Sequence, residues 1–379
     1  MGAVSIRRCE DYGAASVAEA VRRCLGDLGG MGAFVGKGDR VVLKVNLLRG
    51  AAPDEAVTTH PSVVLALSRE VERAGGAPLV ADTPSGTLSR KRLRKIYEAT
   101  GLLDLEKRGE IHLNWDISVS RVSNPQGKIL RSVDILKVVR ESDAVITVPK
   151  LKTHTLTGIT GATKILYGVI PGLAKAGYHA KLPDARDFCD LLLDLVVLVH
   201  PRLSVLDGIE GMEGNGPSAG DRRRGNVIMA SGDSFALDIA MAAYMGADPE
   251  KVPILRAAIA RGLAPPSISG LELRGDRLEA VRSGDWKFPR SRVGLLEHLS
   301  GSVPAPVLRR MGSLLVRRPR PDRKRCRLCG ECVRNCPQKC IRIVRDELKI
   351  DFARCRSCFC CAETCPNRAI GVQEPLLPL

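Results

Sequence analysis

Eight cysteines near the C-terminal end carry the clearest chemistry in this 379-residue chain. Cys326, Cys329, Cys332 and Cys336 are spaced C-x2-C-x2-C-x3-C and are followed by Pro337. Cys355, Cys358, Cys361 and Cys365 repeat the spacing and are followed by Pro366. Thiolates at i, i+3 and i+6 let one loop wrap three corners of an iron–sulfur cube, and the fourth corner is beyond that loop's reach. In paired runs of this kind the other run supplies the fourth thiolate. Two [4Fe–4S] clusters are therefore expected. The first takes Cys326, Cys329, Cys332 and Cys365, and the second takes Cys355, Cys358, Cys361 and Cys336. Such a chain handles electrons one at a time.

A single run could also hold zinc, because paired C-x2-C motifs do. Two copies with crossed-ligand spacing and both prolines argue for the clusters instead. A disulfide framework fits less well. No charged, apolar and cleavage-site sequence opens the chain, so reduced thiols and a cytoplasmic location are expected. Cys340 and Cys360 lie inside the module but off the pattern and are read as packing thiols. Cys9, Cys24 and Cys189 are read as core residues.

Composition narrows the function classes. The formal net charge is +16, and 44% of residues are hydrophobic, enough for a sizeable core. Two oxidised clusters with their thiolates carry about −2 each, leaving about +12. Aromatic residues are only 3% and are not interleaved with basic ones, which argues against nucleic acid. No apolar run is long enough to span a membrane. The nearest, residues 188–199, is broken by Asp190 and Asp194 and reads as a buried amphipathic helix.

Residues 1–288 must position whatever the electrons act on. There, short apolar runs alternate with helical periodicity. Helices are expected from the Ser16-x-x-Glu19 capping box, over 62–74, 187–199, 234–245 and 254–260. Strands are expected at 40–45, 78–81, 144–148, 203–206 and 227–230. This is an α/β domain, with a parallel or mixed sheet layered with helices. Residues 289–321 read as a basic, proline-containing linker, and 322–379 as a small α+β domain whose clusters substitute for a core. The linker's cations offset cluster charge, or offer a docking face to an acidic redox protein or a membrane surface.

Ligands of open parallel sheets bind beyond the strands' carboxyl ends, and those positions here are polar. Lys44, Asn46 and Asp82 end strands; Lys150, Lys152 and His154 follow AVITVP; Asp207, Glu210 and Glu213 lie in the DGIEGMEGNGP loop. In PKLKTHTLTGITGATKILYG, Lys150, Lys152, His154 and Lys164 gather positive charge, and a helix starting near Thr160 could turn backbone N–H groups toward an anion. His179 and Lys181, just before a helix expected near Pro183, make His179 a second candidate proton donor. His154, His179 and Lys150 are the candidate catalytic residues. Asn46, Lys152, Lys164, Asp207, Glu210 and Glu213 are the candidate substrate contacts. The bland alternative is that both histidines bond to backbone carbonyls. No G-x-G-x-x-G, P-loop or G-x-S-x-G occurs, so any additional organic cofactor is unknown.

These segments, VNLL…TTHP, PKLKTH…G…K, GYH, DGIEGMEGNGP and the 231–253 stretch, resemble the domain of unknown function 362 family. The resemblance implies a frequent two-cluster ferredoxin tail and assigns no catalytic residue. A more distant similarity to the nickel-pincer lactate racemases rests only on Lys and His at strand ends. Their His-rich signature is absent, so no pincer cofactor is expected. The leading expectation is a ferredoxin-dependent iron–sulfur reductase, taking electrons from ferredoxin or flavodoxin and acting on a small anionic substrate. The alternatives are an electron-transfer or assembly subunit that docks a protein partner, and a non-redox enzyme with structural clusters.

Overall fold

The structure is a computed structural model and describes residues 2–182, 184–282, 284–289 and 318–373. The expected linker therefore lies outside the described residues except at 289 and 318–321.

Among the described residues eleven strands belong to the large domain: β1 (Ala3–Arg8), β2 (Arg40–Val45), β3 (Ala77–Ala81), β4 (Val119–Ser123), β5 (Ser132–Leu136), β6 (Ala144–Val148), β7 (Lys150–His154), β8 (Gly158–Ile159), β9 (Leu203–Glu213), β10 (Asp221–Ser231) and β11 (Glu272–Gly275). The main sheet runs β11-β1-β10-β9-β6-β2-β3, with β7 paired to β9 and β8 to β7. β2 and β6 carry the unbroken apolar runs Val41–Leu43 and Ala144–Ile146 because both faces of the sheet are covered. β2 is parallel to β3 and β6, and β6 to β9. β9–β10 and β10–β1 are antiparallel, so the sheet is mixed. Alternate residues feed two cores. Val41 and Leu43 pack with the helices Ala14–Asp27 and Pro61–Arg73, while Val42 and Val145 pack with Ala185–Val199 and Ser234–Tyr244. Among the described residues no helix is long and apolar enough to cross a membrane.

Four expectations change. The first helix starts at Ala14 with Gly13 as its N-cap and no side-chain cap bond, so Ser16 and Glu19 lie inside it. Ala14 and Ala15 are strong helix formers and extend it past the box. The segment read as a loop after Leu206 continues as strand to Glu213, paired along β10. Its glycines serve close packing: a Cβ at Gly208 would overlap Val227, and one at Gly211 would overlap Trp286. Lys150–His154 is likewise a strand, beside β9. His179 and Lys181 lie within the helix Gly172–Lys181, and the next helix starts at Ala185, capped by Asp184.

The small domain contains two pairs of four-residue strands, Arg318–Pro321 with Ile370–Gln373 and Ile341–Val344 with Glu347–Ile350. It thus takes in Arg318–Pro321, which the sequence placed in the linker. Each cysteine run leads into one short helix, Glu331–Arg334 or Cys360–Glu363. Leu328 and Ser357, and Gly330 and Phe359, hold equivalent places in the two runs, and all have positive φ. This left-handed curl folds each loop back on itself, as wrapping thiols round one centre requires.

Candidate functional site

A cavity of about 60 Å³ lies where the carboxyl ends of β2 and β3 meet β7. Lys44, Asn46, Asp82 and Lys152 line it from the sheet, and Lys164, Lys175 and His179 from the two following helices. The small domain closes it with Asn335, Cys360, Glu363 and Thr364. Four buried lysines thus face two carboxylates. Lys44 Nζ is 2.8 Å from Asp82 Oδ1 and donates to the Val45 carbonyl. Lys152 donates to the Val57 carbonyl at 2.7 Å and lies 3.3 Å from Asn46 Oδ1. Lys175 donates to the Thr83 carbonyl. Lys164 is 9% exposed, and its ammonium has no hydrogen-bond or ion-pair partner among the described residues. The ammonium keeps some accessible surface in a residue that lines the cavity, so an anion there would meet an unpaired positive charge.

Electrostatics sharpen the roles. Burial, then the charges of Lys164 and Lys150, push Lys152 well below the usual lysine range. Burial lowers Lys175 to about 7 against the pull of Asp82, so it is divided between ammonium and amine at neutral pH. A proton donor works best with a pKa near the working pH. Burial would raise Glu363, but the His154 contact and the Lys164 charge outweigh it and hold it at about 2.

His154 sits beside the cavity. Its Nδ1 accepts from the Leu156 and Thr157 N–H groups at 3.1 and 3.2 Å, which leaves its proton on Nε2. That nitrogen is 3.5 Å from Glu363 Oε1, long for a hydrogen bond. His179 is held by rings, stacked on Phe188 at 4.4 Å and edge-on to Tyr167 at 5.4 Å. Burial lowers both histidines to about 4, so both are neutral at pH 7.

The cavity brings together five sequence candidates, Asn46, Lys152, Lys164, His179 and, from just behind its wall, His154. It does not bring in Lys150, Asp207, Glu210 or Glu213. Lys150 is bonded to Asp207 at 3.0 Å and to the Tyr12 hydroxyl. Asp207 also accepts from Tyr12 Oη and His60 N–H, so three donors hold it. Glu210 faces Arg222 at 3.7 Å, and Glu213 pairs with Arg223 at 2.8 Å. These residues brace β7, β9 and β10. The backbone anion site expected near Thr160 is filled from within, because Asp238 accepts from Ala162 and Thr163 N–H at 2.6 and 2.9 Å.

Lys175, Tyr167, Glu363 and Cys360 escaped the sequence reading. Lys175 stands one helical turn before His179, a spacing that shares a face. Glu363 is an acid two residues after a cysteine in a basic tail, a signal that needed the docked domains to be read. Cys360, read as a packing thiol, lines the cavity and lies close enough to Cys358 to lower that thiol to about 7.

Both cysteine runs lie in the small domain. Cys326, Cys329, Cys332 and Cys365 line one pocket of the small domain. Burial and the neighbouring Cys365, Cys329 and Cys326 push the Cys332 thiol up to about 11. Cys361 is raised in the same way by burial and by Cys358, Cys355, Cys332 and Cys336. Among the described residues no three His, Cys, Asp or Glu side chains gather tightly enough for one metal ion. A cubane spreads its thiolates more widely than a single ion does. Backbone N–H groups of Ala369, Cys340 and Ser357 reach the Cys365, Cys336 and Cys355 sulfurs at 3.2 to 3.4 Å, contacts of the kind that tune cluster potentials.

Comparison with known proteins covers the same ground. The thylakoid-associated protein sll1697 of Synechocystis sp. is 35% identical over 292 residues, which make up 76% of this chain and 87% of that one. The lactate racemase apoprotein of Thermoanaerobacterium thermosaccharolyticum matches with 16% identity and a TM-score of 0.36, over 54% of this chain and half of its own length. A family model described as "Domain of unknown function (DUF362)" matches residues 41–243, the span that supplies the sheet's share of the cavity. The chain belongs to the DUF362 family.

Proposed function

We propose that this protein is an iron–sulfur reductase whose substrate is a small anion bound in the cavity between the sheet and the cysteine-rich domain. The observation that carries this reading is Lys164, buried without a partner in a cavity whose opposite wall, Cys360–Thr364, belongs to the second cysteine run. When bound, the two [4Fe–4S] clusters supply single electrons received from a ferredoxin or flavodoxin. Lys164 binds the anion, with Lys152 and Lys44 adding positive potential. Glu363 fixes His154 and limits the excess charge. Lys175 donates a proton to the reduced substrate. Two electrons and two protons, one proton from Lys175 and one from solvent, balance the saturation of one activated double bond. The cavity's small volume favours a small molecule over a docked protein segment. No described helix spans a membrane. We place the protein in the cytoplasm, with attachment to a membrane as the alternative suggested by the Synechocystis relative, which is named a thylakoid-associated protein.

The test is anaerobic. The reduced, iron-loaded chain is mixed with fractionated small-molecule extract, and cluster absorbance is followed. Rapid reoxidation by one fraction, slowed about tenfold to a hundredfold in Lys164→Met, is expected from the loss of one charge-assisted contact. Equal rates in both proteins would reject the cavity as the site.

A further inference from the structure

The cysteine-rich domain has an inner and an outer end. At the inner end Cys358 and Cys360 lie within charge–charge reach of Tyr167, which lines the cavity. At the outer end Cys329 is the one exposed cysteine of the chain. Around it Arg323, Lys324, Arg325, Arg327 and Arg334 are all exposed. Arg334 donates to the Cys329 carbonyl at 2.9 Å. Arg323 pairs at 3.0 Å with Glu347, the neighbour of Leu348, which lines the same pocket as Cys329. The nearby carboxylates Asp322, Glu331 and Glu347 are already in ion pairs. Lys324 and Arg327 have no side-chain hydrogen bond or ion pair among the described residues.

Over residues 318–373 Lys and Arg outnumber Asp and Glu by fourteen to six. Two clusters at about −2 each leave this domain positive.

We propose that the face around Cys329 docks a small acidic electron-carrier protein, and that electrons reach the chain at this end. The inference rests on the iron–sulfur part of the functional reading and is independent of the cavity's substrate. Electron transfer falls steeply with distance, so a carrier must bring its redox centre against a thiolate edge that reaches the surface. Cys329 is that edge, whereas Cys355 and Cys358 are half-buried and Cys361 is buried. Interspersed charges around such an edge suit the weak, fast, electrostatically steered encounters of redox partners. An anionic lipid surface would be drawn to the same charge, and the experiment separates the two.

The iron-loaded full chain, checked by iron content and electron paramagnetic resonance, is assayed for binding to an acidic ferredoxin and, separately, to phosphatidylglycerol vesicles. Ferredoxin binding is expected to weaken about tenfold or more between roughly 20 mM and roughly 300 mM salt. Lys324→Glu combined with Arg327→Glu should weaken it about tenfold at low salt, with iron content and resonance signal unchanged. The milder pair Lys324→Gln and Arg327→Gln, which keeps the surface polar, should give a smaller loss. Binding that ignores salt and both pairs of substitutions overturns the docking site, as does binding to vesicles without ferredoxin. A chain that takes up no iron overturns the iron–sulfur reading itself, whereas a loaded chain indifferent to ferredoxin overturns only the docking site.

Discussion

Lys175 is the cavity group whose charge changes at neutral pH. Its ammonium is buried against the Thr83 carbonyl, and burial brings its pKa from 10.5 to about 7. Between those values the unfolded chain binds more protons than the folded one, so this group makes stability rise with pH across that window. Below about pH 7 the full penalty of burying the ammonium applies, on the order of 3–5 kcal/mol. Lys175→Met should therefore be more stable than the parent at pH 6, less about 1 kcal/mol for the carbonyl left without its donor. The gap should narrow as pH rises toward 10. Urea unfolding of both proteins across that range checks it, and a constant gap would show that Lys175 does not titrate there. In the proposed reaction its acid form is consumed as pH passes 7, so turnover should decline on the alkaline side. At this scale the sequence disclosed residue types better than partners. Lys152 and Lys164 were legible as charge following a strand, and His179 as a candidate proton donor. Lys150 and Asp207 carried the same signal but neutralise each other, and only the paired strands decide which charges stay unspent.

Gly168 shows how tightly the elements around the cavity are set. It passes over the buried Lys44–Asp82 pair so closely that a Cβ would overlap both Asp82 Oδ1 and Lys44 Nζ. Neither can withdraw cheaply, because Asp82 also accepts from Leu47 N–H at 2.8 Å and Lys44 is 1% exposed. Gly168→Ala should cost about 2–4 kcal/mol, between the usual costs of overpacking and of breaking a buried ion pair. A urea midpoint equal to the parent's would mean that the loop moves aside freely. The apolar strands β2 and β6 and the helix Pro61–Arg73 could be read from sequence because burial on a regular period writes itself into residue type. The extension of β9 could not. Gly208 and Gly211 look like loop residues, yet they are there because Val227 and the Trp286 ring press against the strand, and such contacts have no local signature.

The two domains meet through few contacts, and their stabilities should differ. Arg92 pairs with Glu331 at 3.0 Å and Arg368 with Glu55 at 2.5 Å, both partly exposed and worth little individually. The buried part of the interface is the cavity wall, Glu363 beside His154 and the Lys164 charge. The large domain has two extensive apolar cores. The small domain has one cluster of six buried residues, of which Cys332, Cys340 and Cys361 are cysteines. In the proposed iron-loaded form the thiols are the centre of that domain; without iron little else holds together strands only four residues long. Stripping iron with a chelator under reducing conditions should therefore unfold the small domain alone. Amide exchange is expected to lose protection over Glu331–Arg334, Ile341–Ile350 and Cys360–Thr364, with β2, β6 and β9 still protected. Loss of Glu363 from the cavity would then leave Lys152, Lys164 and Lys175 facing one another, so the segment 161–181 should loosen next. Simultaneous loss of protection in β2 and β6 would instead mean that the domains fold as one cooperative unit and that the clusters help hold up the sheet itself.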